Sequence, residues 1–204
     1  MIEFFSQDAT ARLLSSWPWY LTRASGFLSV LLLVLLLMTG ISSFTGHQYK
    51  FMAPLKAWAN HRTLGIAFSI SVSVHILSLL FDKFISFNIF EVFVPFVSHY
   101  KHAHVLGLAV GSLGVALGVI SLYLVVAIIY TSLSKIISTK PSFWKVTHYL
   151  SYLVIILIFF HSIMIGTDLR KGIWRASWIV INVVLVGLVC LRLRRVGALK
   201  RDLS

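Results

Sequence analysis

The sequence predicts an all-α integral membrane protein, a bundle of five transmembrane helices with an interfacial segment between helices two and three. Three observations carry that prediction. Of 204 residues, 58% are hydrophobic and only 12% are charged, against about 45–50% and about 25% in an ordinary globular chain. The mean hydropathy is +0.91. Five stretches are each apolar over the length needed to cross a hydrocarbon core, about 20 residues, because every backbone amide must find its partner within the segment. They run over residues 20–44, 61–81, 104–132, 143–166 and 173–191.

The first stretch contains SVLLLVLLLM, which has the character of a signal-peptide core. Trp17, Trp19 and Tyr20 precede it and no clean small-residue cleavage site follows, so it reads as a retained helix. Residues 1–19 then form an exported N-terminal tail, 20–191 a single helical membrane domain, and 192–204 a basic cytoplasmic C-terminal tail. Between the second and third spans, FDKFISFNIFEVFVPFVSHY is too interrupted by Asp82, Lys83, Asn88, Glu91 and Pro95 to cross, and its phenylalanines place it in the membrane interface. Cys190 is the sole cysteine. That excludes a disulfide framework, a CxxCH haem attachment, a cysteine zinc site and a cysteine-ligated iron–sulfur cluster. With no soluble stretch in the chain, any nucleotide-binding domain is expected on another polypeptide.

Eighteen Lys and Arg stand against six Asp and Glu, a formal net charge of +12. Nucleic acid is not the reason, since no soluble face presents the charge. Five spans put the termini on opposite sides, with seven basic residues on the N-terminal side and eleven on the other. The excess orients the C-terminus to the cytoplasm and the N-terminus outside.

Eight histidines in so apolar a chain inform mainly by position. His75 and His161 lie inside spans, His148 is one turn into the fourth, and His61 opens the second. A polar group at membrane depth is costly unless bonded, which makes each a functional candidate. His61 and His75 are 14 positions apart, within roughly 40° on one helix face and about 21 Å apart in height. His148 and His161 are 13 apart, a rise of about 19.5 Å. The second and fourth spans run in the same direction, so His61 matches His148 near the cytoplasmic surface and His75 matches His161 near the outer one. Two such pairs suit two six-coordinate b-type haems stacked across the bilayer. Thirteen ideal residues leave His148 and His161 about 140° apart around their helix, so either that helix is distorted or the haems are offset. His/His sites for zinc or copper, or a transporter relaying protons or metal ions, use the same residues differently. His47, His99, His102 and His104 lie in or beside loops, where solvation is the plain reading and HYKHAH keeps some claim as an outer site.

Haem propionates need cationic partners in a low-dielectric site. Arg23 and Lys101 fall near the outer depth, Arg62 and Lys145 near the inner one. Each also reads as an ordinary snorkelling side chain, although Arg23 gains nothing outside from the positive-inside rule. Gly26, Gly40, Gly65, Gly107, Gly111, Gly114 and Gly118 permit close helix or macrocycle approach, and GLAVGSLGVALG carries a small-xxx-small helix-packing pattern.

The pieces WYLTRASG, the HR…H pair at His61 and His75, VPFVSHYK, IYTSL and W…HYLSY…H…GTD, ending at Asp168, together resemble the ferric reductase-like transmembrane domain family. That family includes the membrane cores of NADPH oxidases and ferric reductases and the haem subunit of the bacterial methionine-sulfoxide repair system. The resemblance implies a relay for single electrons: from a separate flavoprotein or a quinol, through two bis-histidine haem b groups, to a periplasmic or extracellular acceptor such as a protein, FMN or a ferric chelate. It makes Arg23 the counterpart of a basic residue near the outer haem. Oxidase members add a leading helix, a C-terminal FAD/NADPH domain and a second histidine where this chain has Leu79. Those departures point to a compact subunit of a bacterial plasma membrane working with separate flavoproteins.

Overall fold

The structure is a computed structural model and describes residues 2–45, 57–83, 85–101, 104–105 and 108–201. His47, His102 and Gly107 lie outside those residues. In chain order, helix α1 spans Ile2–Thr45, α2 Ala57–Phe81 and α3 Ile89–Phe93. Strands β1 (His104–Val105) and β2 (Leu108–Ala109) precede α4 (Gly111–Leu133), α5 (Ile136–Thr139), α6 (Pro141–Tyr149), α7 (Ser151–Ile165) and α8 (Gly172–Arg201). Among the described residues, five helical segments are long and apolar enough to cross a membrane: Ser16–Ile41, Asn60–Phe81, Gly111–Leu133, Pro141–Ile165 and Gly172–Leu191. The all-α five-span architecture is therefore present. Many large apolar side chains along the spans are exposed, Leu31, Ile70, Val126 and Val180 among them, as befits helices whose outer surface meets acyl chains.

Two expected features differ. The third span starts at Gly111 and not at His104, because residues 104–105 and 108–109 form a short antiparallel ladder with His104 opposite Ala109 and Val105 opposite Leu108. Glycine is required at 111, where an added Cβ would collide with the Tyr100 carbonyl oxygen. The fourth span is two helices. Leu150 separates α6 from α7, and its N–H bonds the Thr147 carbonyl at 3.1 Å, a tightened i→i+3 step.

The chain divides into two compact units, residues 1–87 with 184–204 and residues 88–183. In the first, α1 and α2 pack antiparallel along a seam of buried hydroxyls. The Thr22 and Ser78 hydroxyls lie 2.7 Å apart, Ser29 donates to Ser71 at 2.9 Å, and Ser71 donates to the Ser25 carbonyl at 3.0 Å. Lipid offers helices no hydrophobic drive to associate, so hydrogen bonds and close packing hold them together.

In the second unit α4 packs on α7 through small and apolar residues: Gly114, Val115, Ala116 and Val119 on one side, Val154 and Ile155 on the other, all buried. The interfacial segment carries α3, opened by a capping box. Asn88 Oδ1 accepts the Glu91 N–H at 3.0 Å and Glu91 Oε2 accepts the Asn88 N–H at 3.0 Å. The Tyr123 hydroxyl donates to the Phe93 carbonyl at 2.7 Å, fastening this segment to α4. Ile89, Phe90, Phe93 and Phe96 remain exposed, the pattern of a stretch lying in an interface.

Candidate functional site

The four histidines are best read from the atoms that hold them. His75, on α2, places Nδ1 2.9 Å from the Thr22 carbonyl oxygen of α1. A carbonyl only accepts, so the ring donates from Nδ1 and its Nε2 keeps a lone pair. His161, on α7, does the same to the Gly114 carbonyl of α4 at 2.8 Å. His61 Nδ1 lies 2.9 Å from the Thr39 hydroxyl oxygen. That hydroxyl directs its own proton back to the Leu35 and Leu36 carbonyls, at 3.0 and 2.9 Å, so its oxygen is the acceptor. All three imidazoles thus take the tautomer that ligates a metal through Nε2 while Nδ1–H is braced by the protein.

A glycine lies against each of these rings. A Cβ added at Gly26 would meet His75 Cε1 and Nδ1 at 3.3 Å, and one at Gly40 would meet His61 Cε1 at 3.5 Å. At Gly118 it would meet His161 Cε1 and Nδ1 at 2.5 Å. His61 and His75, predicted to share a face of their helix, both turn to α1.

His148 is held differently. It sits at the end of α6, its ring centroid 5.3 Å from that of Trp144 at an interplanar angle of 30°. The Trp144 indole N–H in turn reaches Ser132 Oγ at 3.2 Å. The tightened step at Leu150 falls between His148 and His161. A 3₁₀ step turns ~120° where an α step turns ~100°, which narrows the ideal 140° separation.

Arg23 lies one residue beyond Thr22, its guanidinium 4.0 Å from the Trp19 ring centroid. Stacking of this kind leaves the guanidinium edge able to bond a carboxylate. Arg62, Lys101 and Lys145 are exposed. His104 and His99 are exposed as well; the His99 backbone N–H donates to Glu91 Oε1 at 3.1 Å. The Asn88 and His99 N–H groups, with the nearby His99 ring, hold the Glu91 carboxyl below its ordinary value. Among the described residues, no three or more His, Cys, Asp or Glu gather into a cation site.

Sequence reading singled out the four histidines, and named Gly114 and Gly118 only for close approach; it missed the atoms that brace the rings, the Thr22 and Gly114 carbonyls and the Thr39 hydroxyl. It also missed Trp178, buried, whose indole N–H donates at 2.7 Å to Ser162, the neighbour of His161. One signal was available. Gly26 and Gly40 are spaced by the same 14 residues as His61 and His75, as two antiparallel helices facing each other in register require.

Fold and braced imidazoles together define a multi-pass membrane protein built around histidines inside its spans. Residues 25–159, most of the chain, match the ferric reductase like transmembrane component family, and the chain belongs to that family. The matched stretch includes His61, His75 and His148 and ends just before His161. No match was found among curated proteins or among solved structures. The protein is a membrane-embedded electron-transfer module that works with redox partners.

Proposed function

We propose that this chain is a b-type cytochrome that moves single electrons across a bacterial plasma membrane, holding two haems by His61 with His148 and by His75 with His161. The observation that carries the reading is the bracing of three imidazoles through Nδ1, the tautomer in which Nε2 carries the ligating lone pair. The residues fit the group. Neutral imidazoles are the ligands haem iron takes in low-spin b cytochromes, and glycines beside the rings keep side chains out of the macrocycle's way.

Bound haem supplies a one-electron Fe(III)/Fe(II) couple within the bilayer. The chain's own residues do the rest. The Thr22 and Gly114 carbonyls and the Thr39 oxygen hold the rings in the ligating tautomer and raise their basicity. Arg23 offers a stacked guanidinium for a propionate of the outer haem, for which Lys101 is the second candidate; Arg62 and Lys145 are the candidates for the inner haem. The apolar spans exclude water and so limit side reactions. A separate flavoprotein or quinol feeds the cytoplasmic side, and a protein, FMN or ferric chelate accepts outside, with the N-terminus outside and the C-terminus in the cytoplasm. Residues 20–191 form the haem domain, between the N-terminal and basic C-terminal tails.

A dithionite-reduced-minus-oxidised spectrum of membranes carrying the protein tests this. Low-spin b-type bands are expected, with haem content falling by about half in His75→Ala or His161→Ala. Colourless protein would sink the proposal and return the metal-ion or proton-pathway reading. Unchanged haem in both variants would remove the outer site.

A further inference from the structure

We infer that Gly118, with Gly114 one turn before it, forms a seat that sets the position and tautomer of the His161 imidazole, and that the three ring-facing glycines form a graded series of such seats. In this chain the small-xxx-small stretch of α4 is more than a helix-packing pattern. Gly114 contributes its carbonyl to His161 Nδ1 at 2.8 Å. Gly118 contributes missing volume, since any Cβ there would lie 2.5 Å from both Nδ1 and Cε1. At that distance the ring must swing, and swinging breaks the Nδ1–H bond to Gly114 that fixes the tautomer. Ser162, bonded to Trp178, holds the backbone on the other side, which leaves the ring little freedom to yield by moving its helix.

The other two seats are looser. At Gly26 the closest approach to His75 is 3.3 Å, so a methyl group asks for a shift of a few tenths of an ångström. At Gly40 the approach to His61 is 3.5 Å, ordinary contact. Gly187 lies in α8 with nothing within 4 Å of its added Cβ and serves as a control for a methyl group in a span. These glycines are positioning residues, acting through the imidazole they face.

The haem part of this inference rests on the function proposed above; the tautomer part does not. The test therefore uses two readouts on full-length protein carrying alanine singly at 118, 26, 40 and 187. The first is ¹⁵N NMR of histidine-labelled protein prepared without haem, which reports Nδ1–H against Nε2–H. The second is haem content and low-spin EPR signals after reconstitution. Gly118→Ala is expected to lose the Nδ1–H signal of one histidine, assigned through His161→Ala, and to drop haem affinity at that site by about tenfold or more, the usual effect of disturbing a ligand's outer partner. Gly26→Ala is expected to give a smaller loss at His75, with Gly40→Ala and Gly187→Ala matching the parent. An unchanged His161 signal in Gly118→Ala, or equal losses at Gly40 and Gly118, would overturn the inference. If the parent bound no haem while the NMR ranking held, the function would fail and the seat would stand. Should Gly118→Ala not fold, a Gly26→Ala signal identical to the parent would by itself overturn the grading.

Discussion

The helix pairs α1/α2 and α4/α7 each brace a histidine through a backbone carbonyl, at Thr22 and at Gly114, but differ in what joins the helices around it. The α1/α2 seam is joined by hydroxyls, with Thr22, Ser29, Ser71 and Ser78 buried along it. An added Cβ there would meet the rings at 3.3 Å from Gly26, a tight contact, and at 3.5 Å from Gly40, an ordinary one. The α4/α7 contact has no such ladder among the described bonds; it relies on missing side-chain volume at Gly114 and Gly118. Directional bonds tolerate small changes in spacing, whereas a steep repulsive wall does not. The difference teaches that one intramembrane fold can set the same carbonyl-braced ring in a hydrogen-bonded seam in one place and in a close-packed one in another.

The largest effect is expected where exclusion governs. A Cβ at Gly114 would lie 2.6 Å from Ile165 Cγ2 and 3.0 Å from Met164 Cβ. Gly114→Ala therefore forces α4 and α7 apart and costs about 1–3 kcal/mol, the range for overpacking. Thermal unfolding in detergent would register it, and a change no greater than that of Gly187→Ala would show that the contact is not tight. Next comes the hydroxyl seam. Ser71→Ala removes the bonds to Ser29 and to the Ser25 carbonyl, each worth about 0.6 kcal/mol in membrane helices. Stability should fall by about 1.2 kcal/mol for the two bonds together while the His75 tautomer persists; loss of that tautomer would mean the seam positions the ring as well.

The smallest effect belongs to the interfacial turn. Because accepted backbone N–H groups lower the Glu91 carboxyl, its stabilisation of α3 is complete above the ordinary value of 4.5 and is lost as pH falls below it. Amide protection at Asn88 and His99, taken relative to the intrinsic exchange rate at each pH, should fall on acidification in the parent. In Glu91→Gln that pH dependence should vanish, and its persistence would assign the effect to another group.

The spans and the shared face of His61 and His75 were legible because both follow from chain-local quantities, apolar length and turn per residue. The start of the third span was not. Val105 through Ala109 is as apolar as the helix after it, and only the ladder of His104 with Ala109 shows where the helix begins. The joint at Leu150 was equally hidden, for no proline or glycine marks it, although the awkward angle between His148 and His161 had raised a distortion as one solution. The braces were out of reach for a different reason: a carbonyl acceptor such as Thr22 or Gly114 leaves no trace in residue type, and a glycine acquires meaning only when the facing helix is known.

The equal spacing on α1 and α2 carries a consequence for how this protein can vary. One extra residue between His61 and His75 would rotate one imidazole about 100° away from its glycine. A matching insertion between Gly26 and Gly40 would be needed to restore both meetings. The two helices therefore behave as a pair of rulers read against each other, free to drift in most of their letters but bound to keep a common count.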